Sequence, residues 1–352
     1  MTARQIRDVF RRQAAACGTL GSPFTAQLLS LLADRLSENT IVGRAVLGWR
    51  GDPVADALAL RIAGALHAEV LAKRSKTLIE VYPPASAVDD ETLWRAVDHA
   101  IEANRTTILC FLGSPPQTNE VARSAALAGG FLTIAAITSL PLALFEIGAS
   151  AGLNLHWDSY RYDLGGLQIG EADSQPLLAP AWEGPAPPAI DTVVSGRAGC
   201  DRAPIDVRSD KDILRLRAYI WPDQIDRELR LMQAVEKARS SPIPIERADA
   251  ADWAKRHVAE LQRDVTVVLF HSIVWQYIAQ DSQRRLQHII EKAGRRADPD
   301  HPFAWLRMEP ETPKAASLRL TLWPIGETHF LADVDYHGRW IRWHVDSTAI
   351  NR

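Results

Sequence analysis

The sequence predicts an α/β protein: a mainly parallel sheet closed by C-terminal antiparallel strands, with an N-terminal helical region before it. Three observations carry this. Through about residue 140, apolar residues recur at helical spacing. From Leu142, short apolar runs end in polar residues and alternate with amphipathic stretches, the pattern of strands joined by helical crossovers. After "PFAWLRME" the helical spacing stops, and "SLRLTLWPIG" and "THFLADVDYHGRWIRWHV" predict a hairpin or meander. The domains expected are a helical region over 1–140 and a sheet domain over 141–352, with an insertion at about 157–190.

Each element has a local reason. Ile6 to Ala16 is amphipathic, and Ser22-Pro23 supplies an N-cap and a first-turn proline to "FTAQLLSLLADRL". A long helix is predicted from near Asp52-Pro53 through "ALALRIAGALHAEVLAK". In "DDETLWRAVDHAIEAN" the leading acids favour the helix dipole. Beyond residue 140, "LALFEIG", "TVVSGRAGCD", "PIPIERADA", "VTVVLFHS" and "PFAWLRME" read as five strands. The helices between them are "DILRLRAYI", "PDQIDRELRLMQAVEKA", "AADWAKRHVAELQ" and "DSQRRLQHIIEKAG". Asp163 to Leu167 reads as a small hairpin, and "LLAPAWEGPAPPAI" as a surface excursion.

Composition narrows the function classes. Lys and Arg total 40 against 43 Asp and Glu, a formal net charge of −3, so a nucleic-acid partner has no electrostatic support. Cys17, Cys110 and Cys200 are an odd set without CxxC spacing, which argues against a disulfide scaffold or zinc site and suits a reducing cytoplasm. The first residues carry charges throughout and lack the apolar core of a signal peptide. Ser124 to Phe145 is uncharged and long enough to span a bilayer. Gly129-Gly130 and Pro141 divide it, so a buried helix, a proline turn and a buried parallel strand are expected, and no membrane partner.

The stretch "LFEIGASAGLNL" has two incompatible meanings. Gly148-Ala149-Ser150-Ala151-Gly152 spells G-x-S-x-G, the turn that exposes a hydrolase serine. A hydrolase also needs an acid and a histidine, for which Asp333 or Asp335 and His337 are the candidates. Alternatively, Glu146 followed by small residues forms a strand-end loop against which a nucleotide-like cofactor lies, with Ser150 tolerated if its φ is negative. Two further strand ends favour the cofactor loop. Asp201 ends the second strand, where an acid can accept ribose hydroxyls, and Asp249 follows the third, where an acid can accept from an adenine amino group. Nicotinamide dinucleotides are disfavoured because Leu153 stands where their motif needs glycine.

From Leu142 to about Trp343 the chain resembles the class I S-adenosylmethionine-dependent methyltransferases, on "FEIGASAG", "GCDRAP", "RADAADW", "VLFHS" and the final antiparallel strands. Nearly the whole chain also resembles an uncharacterised bacterial family with the signatures E-x-G-A-S-A-G-L-N-L and Q-T-N-E-x-x-R. The segments "RIAGALH" and "WPDQIDR" are similar to that family too. The first resemblance implies a Rossmann-like methyltransferase-type fold and transfer of a methyl group from S-adenosylmethionine to a small-molecule substrate. Glu146, Gly148, Ser150, Gly152, Asn154, Asp201 and Asp249 would bind the cofactor. A non-catalytic cofactor-binding protein is the alternative from another class.

Four groups of residues near the expected cleft remain. His271 ends the fourth strand, and a general base or a packed, satisfied histidine fits it equally. Gln276 and Tyr277, behind Trp275, are candidates to line the substrate. Asn119, Glu120 and Arg123, ahead of the apolar helix, either grip a polar ligand or cap the helix and pair internally. His67 is expected in the core, and a lid or substrate-selecting role for the helical region is an open expectation.

Overall fold

The computed structural model describes residues 1–346; residues 347–352, the end of the expected sheet domain, lie outside the described residues. The helices of the first third are α1 (Ala3–Thr19), α2 (Pro23–Arg35), α3 (Ile41–Leu47), α4 (Leu58–Leu71), α5 (Lys76–Ile79), α6 (Asp90–Ala103) and α7 (Arg105–Leu112). Then come α8 (Ser124–Thr138), β1 (Leu142–Ile147), β2 (Arg161–Leu164), β3 (Leu167–Ile169), β4 (Leu177–Leu178), β5 (Ala181–Glu183) and β6 (Val194–Asp201). Next are α9 (Asp210–Ala218), α10 (Ile225–Ser240), β7 (Ile245–Arg247), α11 (Ala250–His257), β8 (Thr266–Ser272) and α12 (Gln280–Gly294). The chain ends in β9 (Phe303–Thr312), β10 (Ala315–Trp323), β11 (Glu327–Val334) and β12 (Trp340–Trp343).

Two compact units divide the chain. The first comprises Met1–Thr118 and Ser209–Leu229, the second 119–208 and 230 onward. The boundary therefore falls at Thr118, not near 140, and 209–229 returns to the helical unit. The physical reason is α8: apolar on all sides, it packs on the sheet strands and belongs with them.

The helical unit follows its local signals. Thr2 and Gln5 form a capping box at α1, Ser22 caps α2 ahead of Pro23, and Asp89 caps α6. The helix expected from Asp52 starts later, at Leu58. Asp52 instead accepts from the N–H groups of Val54 and Ala55 in a turn, and Ala57 is left-handed (φ 50°). Phe10, Leu28, Ile62, Leu66 and Val97 are core residues of this unit. Gly64 lets the Tyr219 ring lie against α4, since a Cβ there would stand 2.6 Å from it. His67 is buried; burial pushes its pKa down to about 4, and Nδ1 lies 3.3 Å from the Ala218 carbonyl.

The second unit is built on a mixed, mostly parallel nine-stranded sheet in the order β5-β12-β11-β10-β9-β8-β1-β6-β7. β7, β6, β1, β8 and β9 are mutually parallel, and β9 to β12 form an antiparallel meander. From β1 the chain builds outward first through β6 and β7, then on the other side through β8 and β9. The order thus reverses between β1 and β8, the position at which α/β sheets in general bind ligands at the strands' carboxyl ends. β2 to β4 form a separate three-stranded sheet. The expected surface excursion is partly strand, because Ala181–Glu183 pairs parallel to β12 at the sheet edge.

The stretch 121–138 is long and apolar enough to cross a membrane, but 78% of it is buried within the protein. Phe131 meets Phe270 edge-on at 5.1 Å and Trp157 at the same separation. Gly129 and Gly130 bring α8 close to the sheet, for a Cβ on either would stand 2.7 Å from Trp343 or Leu306. On the other face, Phe145, Val267, Leu269 and Phe303 pack with Trp253, Leu286 and Ile290 from α11 and α12.

Candidate functional site

The carboxyl ends of β1, β6, β8 and β9 bring together residues far apart in sequence. β1 delivers Glu146 in full burial, with Oε2 lacking any hydrogen-bond partner. Burial pushes its carboxyl up to about 8; a hydrogen bond with Asn154 and the charge of Arg123 oppose this, and Asp201 adds to it. Asn154, itself buried, accepts from Ser124 Oγ at 2.7 Å.

The loop after β1 alternates left-handed residues: Gly148 (φ 68°), Ser150 (φ 54°) and Gly152 (φ 72°). The condition set for tolerating Ser150, a negative φ, is therefore not met, and the left-handed form costs a non-glycine residue roughly 1–2 kcal/mol. Surrounding hydrogen bonds hold it there. Ala149 N–H donates to Cys200 O at 3.0 Å and Ser150 N–H to Asp201 Oδ2 at 3.0 Å. Ala151 and Leu153 donate to Asn119 Oδ1 at 3.3 and 3.0 Å, and Gly152 to Ala149 O at 2.7 Å. Every backbone donor from 149 to 153 is engaged inside the protein, so the loop is no open cradle for phosphate. Ser150 Oγ, by contrast, is buried without a partner.

Asp201 also accepts from Ala203 N–H at 2.8 Å, so each carboxylate oxygen holds one loop donor and keeps a further lone pair. Asp249 is more fully engaged. It caps α11 through Ala251 and Asp252, accepts from Ser282 at 2.8 Å and pairs with Arg285 at 3.0 Å. Burial raises its carboxyl, but these bonds outweigh burial and the net direction is down.

Asn119, Glu120 and Arg123 precede α8, but the first two lie before its short 3-10 lead-in at 121–123. Asn119 holds the β1 loop, Glu120 caps that lead-in through Ala122 N–H, and Arg123 donates to Tyr336 O (3.0 Å) and Ser272 O (3.3 Å). These contacts tie loops together.

His271 is fully buried at the end of β8, with both ring nitrogens engaged. Nδ1 meets Glu309 Oε1 at 2.6 Å, and Trp305 Nε1–H donates to Nε2 at 3.1 Å. This fixes the neutral tautomer as Nδ1–H. Trp275 stacks on the ring at 5.4 Å. The same Glu309 oxygen accepts from Val274 and Trp275 N–H, while Oε2 is buried without a partner. These bonds secure Ile273 in a left-handed conformation (φ 53°), which a β-branched residue adopts only under constraint. A Cβ on Gly148 would collide with Val274, so this turn packs against the loop of β1. Gln276 and Tyr277 lie just beyond, both exposed.

Glu309 escaped sequence reasoning although its signal was visible: like Glu146, it is an acid at the polar end of an apolar strand. The serine-hydrolase candidates do not assemble. Ser150 Oγ has no hydrogen-bond partner, Asp335 is paired with Arg339 at 2.7 Å, and Asp333 with His344 at 2.9 Å.

A comparison with curated proteins found no match. A family profile described as "uncharacterized protein conserved in bacteria (DUF2332)" matches residues 7–343, a span that takes in both units and every strand and helix named here except the start of α1. The chain belongs to that family.

Proposed function

We propose that the β1 loop binds S-adenosylmethionine and that the protein transfers its methyl group to a small-molecule acceptor. The observation that carries this is the Glu146 carboxyl, buried with one orphan oxygen at the strand end where the sheet order reverses. A buried carboxyl oxygen without a partner is costly and marks a place for a cationic group. The ammonium of an amino-acid moiety fits it. Because the loop donors are internally engaged, the site favours a ligand offering a cation and hydroxyls over a pyrophosphate.

The order of the five parallel strands supports a Rossmann-like, methyltransferase-type fold. Numbered along the chain, they run 3-2-1-4-5 across the sheet. Bound at this loop, the cofactor supplies an activated methyl group. The chain's part is to bind, orient and exclude water. Glu146 would accept the ammonium, Asp201 the ribose hydroxyls through its remaining lone pairs, and Gly148, Ser150 and Gly152 would line the close approach. Asn154 holds Glu146. Asp249, engaged by the α11 N-terminus, Ser282 and Arg285, takes no ligand role.

His271, with both nitrogens engaged, positions the 272–277 turn through Glu309 and leaves the acceptor's proton to another group. Its engaged state favours one second reading, a cofactor-binding protein without transfer. Equilibrium dialysis of the ligand-free protein with methyl-labelled S-adenosylmethionine, followed by an acceptor screen, tests both. Retained label with transfer to an acceptor supports the methyltransferase. Retention without transfer supports the second reading, and no retention by folded protein refutes both.

A further inference from the structure

Arg307 and Arg319 stand directly opposite each other in the antiparallel pair of β9 and β10. Like charges so placed destabilise a sheet unless something compensates them. Arg319 has Glu311 at 3.2 Å. Arg307 has no carboxylate within ion-pair distance among the described residues; it donates to Thr321 Oγ1 at 3.0 Å, and its guanidinium lies 4.0 Å from the Trp305 ring centroid. Burial, and then the charge of Arg319, lower its pKa to about 10.

The two guanidinium groups belong to one partly exposed strip on the sheet. Trp275 lies 5.8 Å from Trp305, Arg319 lies over Phe330 at 5.2 Å, and Phe330 stacks on His344 at 4.9 Å. Arg319 is 35% exposed. Stacking fixes the plane of a guanidinium while its edge keeps donors for a second partner. Thr321 takes one terminal nitrogen of Arg307. Its remaining N–H groups are a ready fork for a planar oxyanion.

We propose that Arg307 and Arg319 hold the oxyanion of a small molecule, a carboxylate or a phosphate ester, on the partly exposed face of β9 and β10. A negative group placed between them supplies the charge that the register lacks. Trp305 and Phe330 flank it, so an oxyanion carried on a flat ring gains stacking as well. The inference rests on strand register and charge, independently of the β1 loop, and stands or falls separately from cofactor binding.

The test is thermal unfolding and tryptophan fluorescence of the full chain at constant ionic strength, titrated with inorganic phosphate, phenyl phosphate or benzoate. Saturable stabilisation is expected, at least tenfold tighter for phenyl phosphate than for phosphate. Benzoate matching phenyl phosphate supports the carboxylate form, and weaker benzoate binding supports the phosphate form. Arg307→Gln should abolish the response and, without anion, unfold no lower than the wild type, because one of two facing charges is gone. Arg307→Lys, which keeps charge but loses the fork, should weaken binding at least tenfold. No saturable response, or a response that persists in both variants, overturns the proposal.

Discussion

Asp201 accepts a hydrogen bond from the backbone N–H of Ser150 at 3.0 Å, so the carboxylate expected to meet a ribose also sets the shape of the β1 loop. Asp201→Ala would leave the N–H groups of Ser150 and Ala203 without that acceptor, and each unmet buried donor costs about 1–3 kcal/mol. Asp201→Asn keeps one acceptor oxygen for the two donors and turns its NH2 group towards the other. Both variants should therefore lose stability and ligand affinity, the asparagine variant losing less stability than the alanine variant. Urea unfolding paired with ligand titration separates the two effects.

Asn119 acts on the loop from the other side, accepting from Ala151 and Leu153. Asn119→Ala leaves both donors unmet and should destabilise by about 1–3 kcal/mol for each. Asn119→Asp, which preserves the acceptor, should recover most of that. Equal destabilisation in both variants would show that the loop does not depend on this acceptor.

Glu146 predicts a pH dependence of definite sign. Its folded pKa is raised from 4.5 to about 8, so between these values the folded state holds a proton that the unfolded state has lost. The contribution is fully present below pH 4.5, declines as pH rises and is gone above about 8. Its full span is on the order of 4–5 kcal/mol. Glu146→Gln should match the wild type near pH 4, exceed it in stability at pH 8 and flatten the profile. Unfolding curves from pH 4 to 9 check this; parallel profiles for the two proteins would contradict it.

Gly129 and Gly130 predict a packing effect remote from the site. A methyl group on either would stand 2.7 Å from Trp343 or Leu306. Overpacking of this kind costs about 1–3 kcal/mol, so Gly130→Ala should lower the urea midpoint without changing the slope.

The parallel strands were legible because burial on both faces demands continuous apolar runs, and the acids ending them pointed to Glu146 and Asp201. What touches what was less legible. The uniform apolarity of α8 says that it is buried but not against which partner, so the boundary was expected about twenty residues late. The amphipathic pattern of 210–218 likewise does not say which core it joins. Ala181–Glu183 is too short, and too close to proline and glycine, to read as a strand. The roles of Asn119, Glu309 and Arg307 depend on partners 34, 38 and 12 residues away, at Leu153, His271 and Arg319, and no local pattern encodes those pairings.

Calorimetric titration of ligand-free protein with S-adenosylhomocysteine at pH 7, in buffers of different ionisation enthalpy, shows whether Glu146 receives the ligand's ammonium. An ammonium arriving at a protonated Glu146 must displace its proton. Saturable binding with release of a proton is expected, and loss of both in Glu146→Gln. Folded wild-type protein that gives no binding heat, or Glu146→Gln protein that binds as tightly with the same proton release, would contradict that role of Glu146.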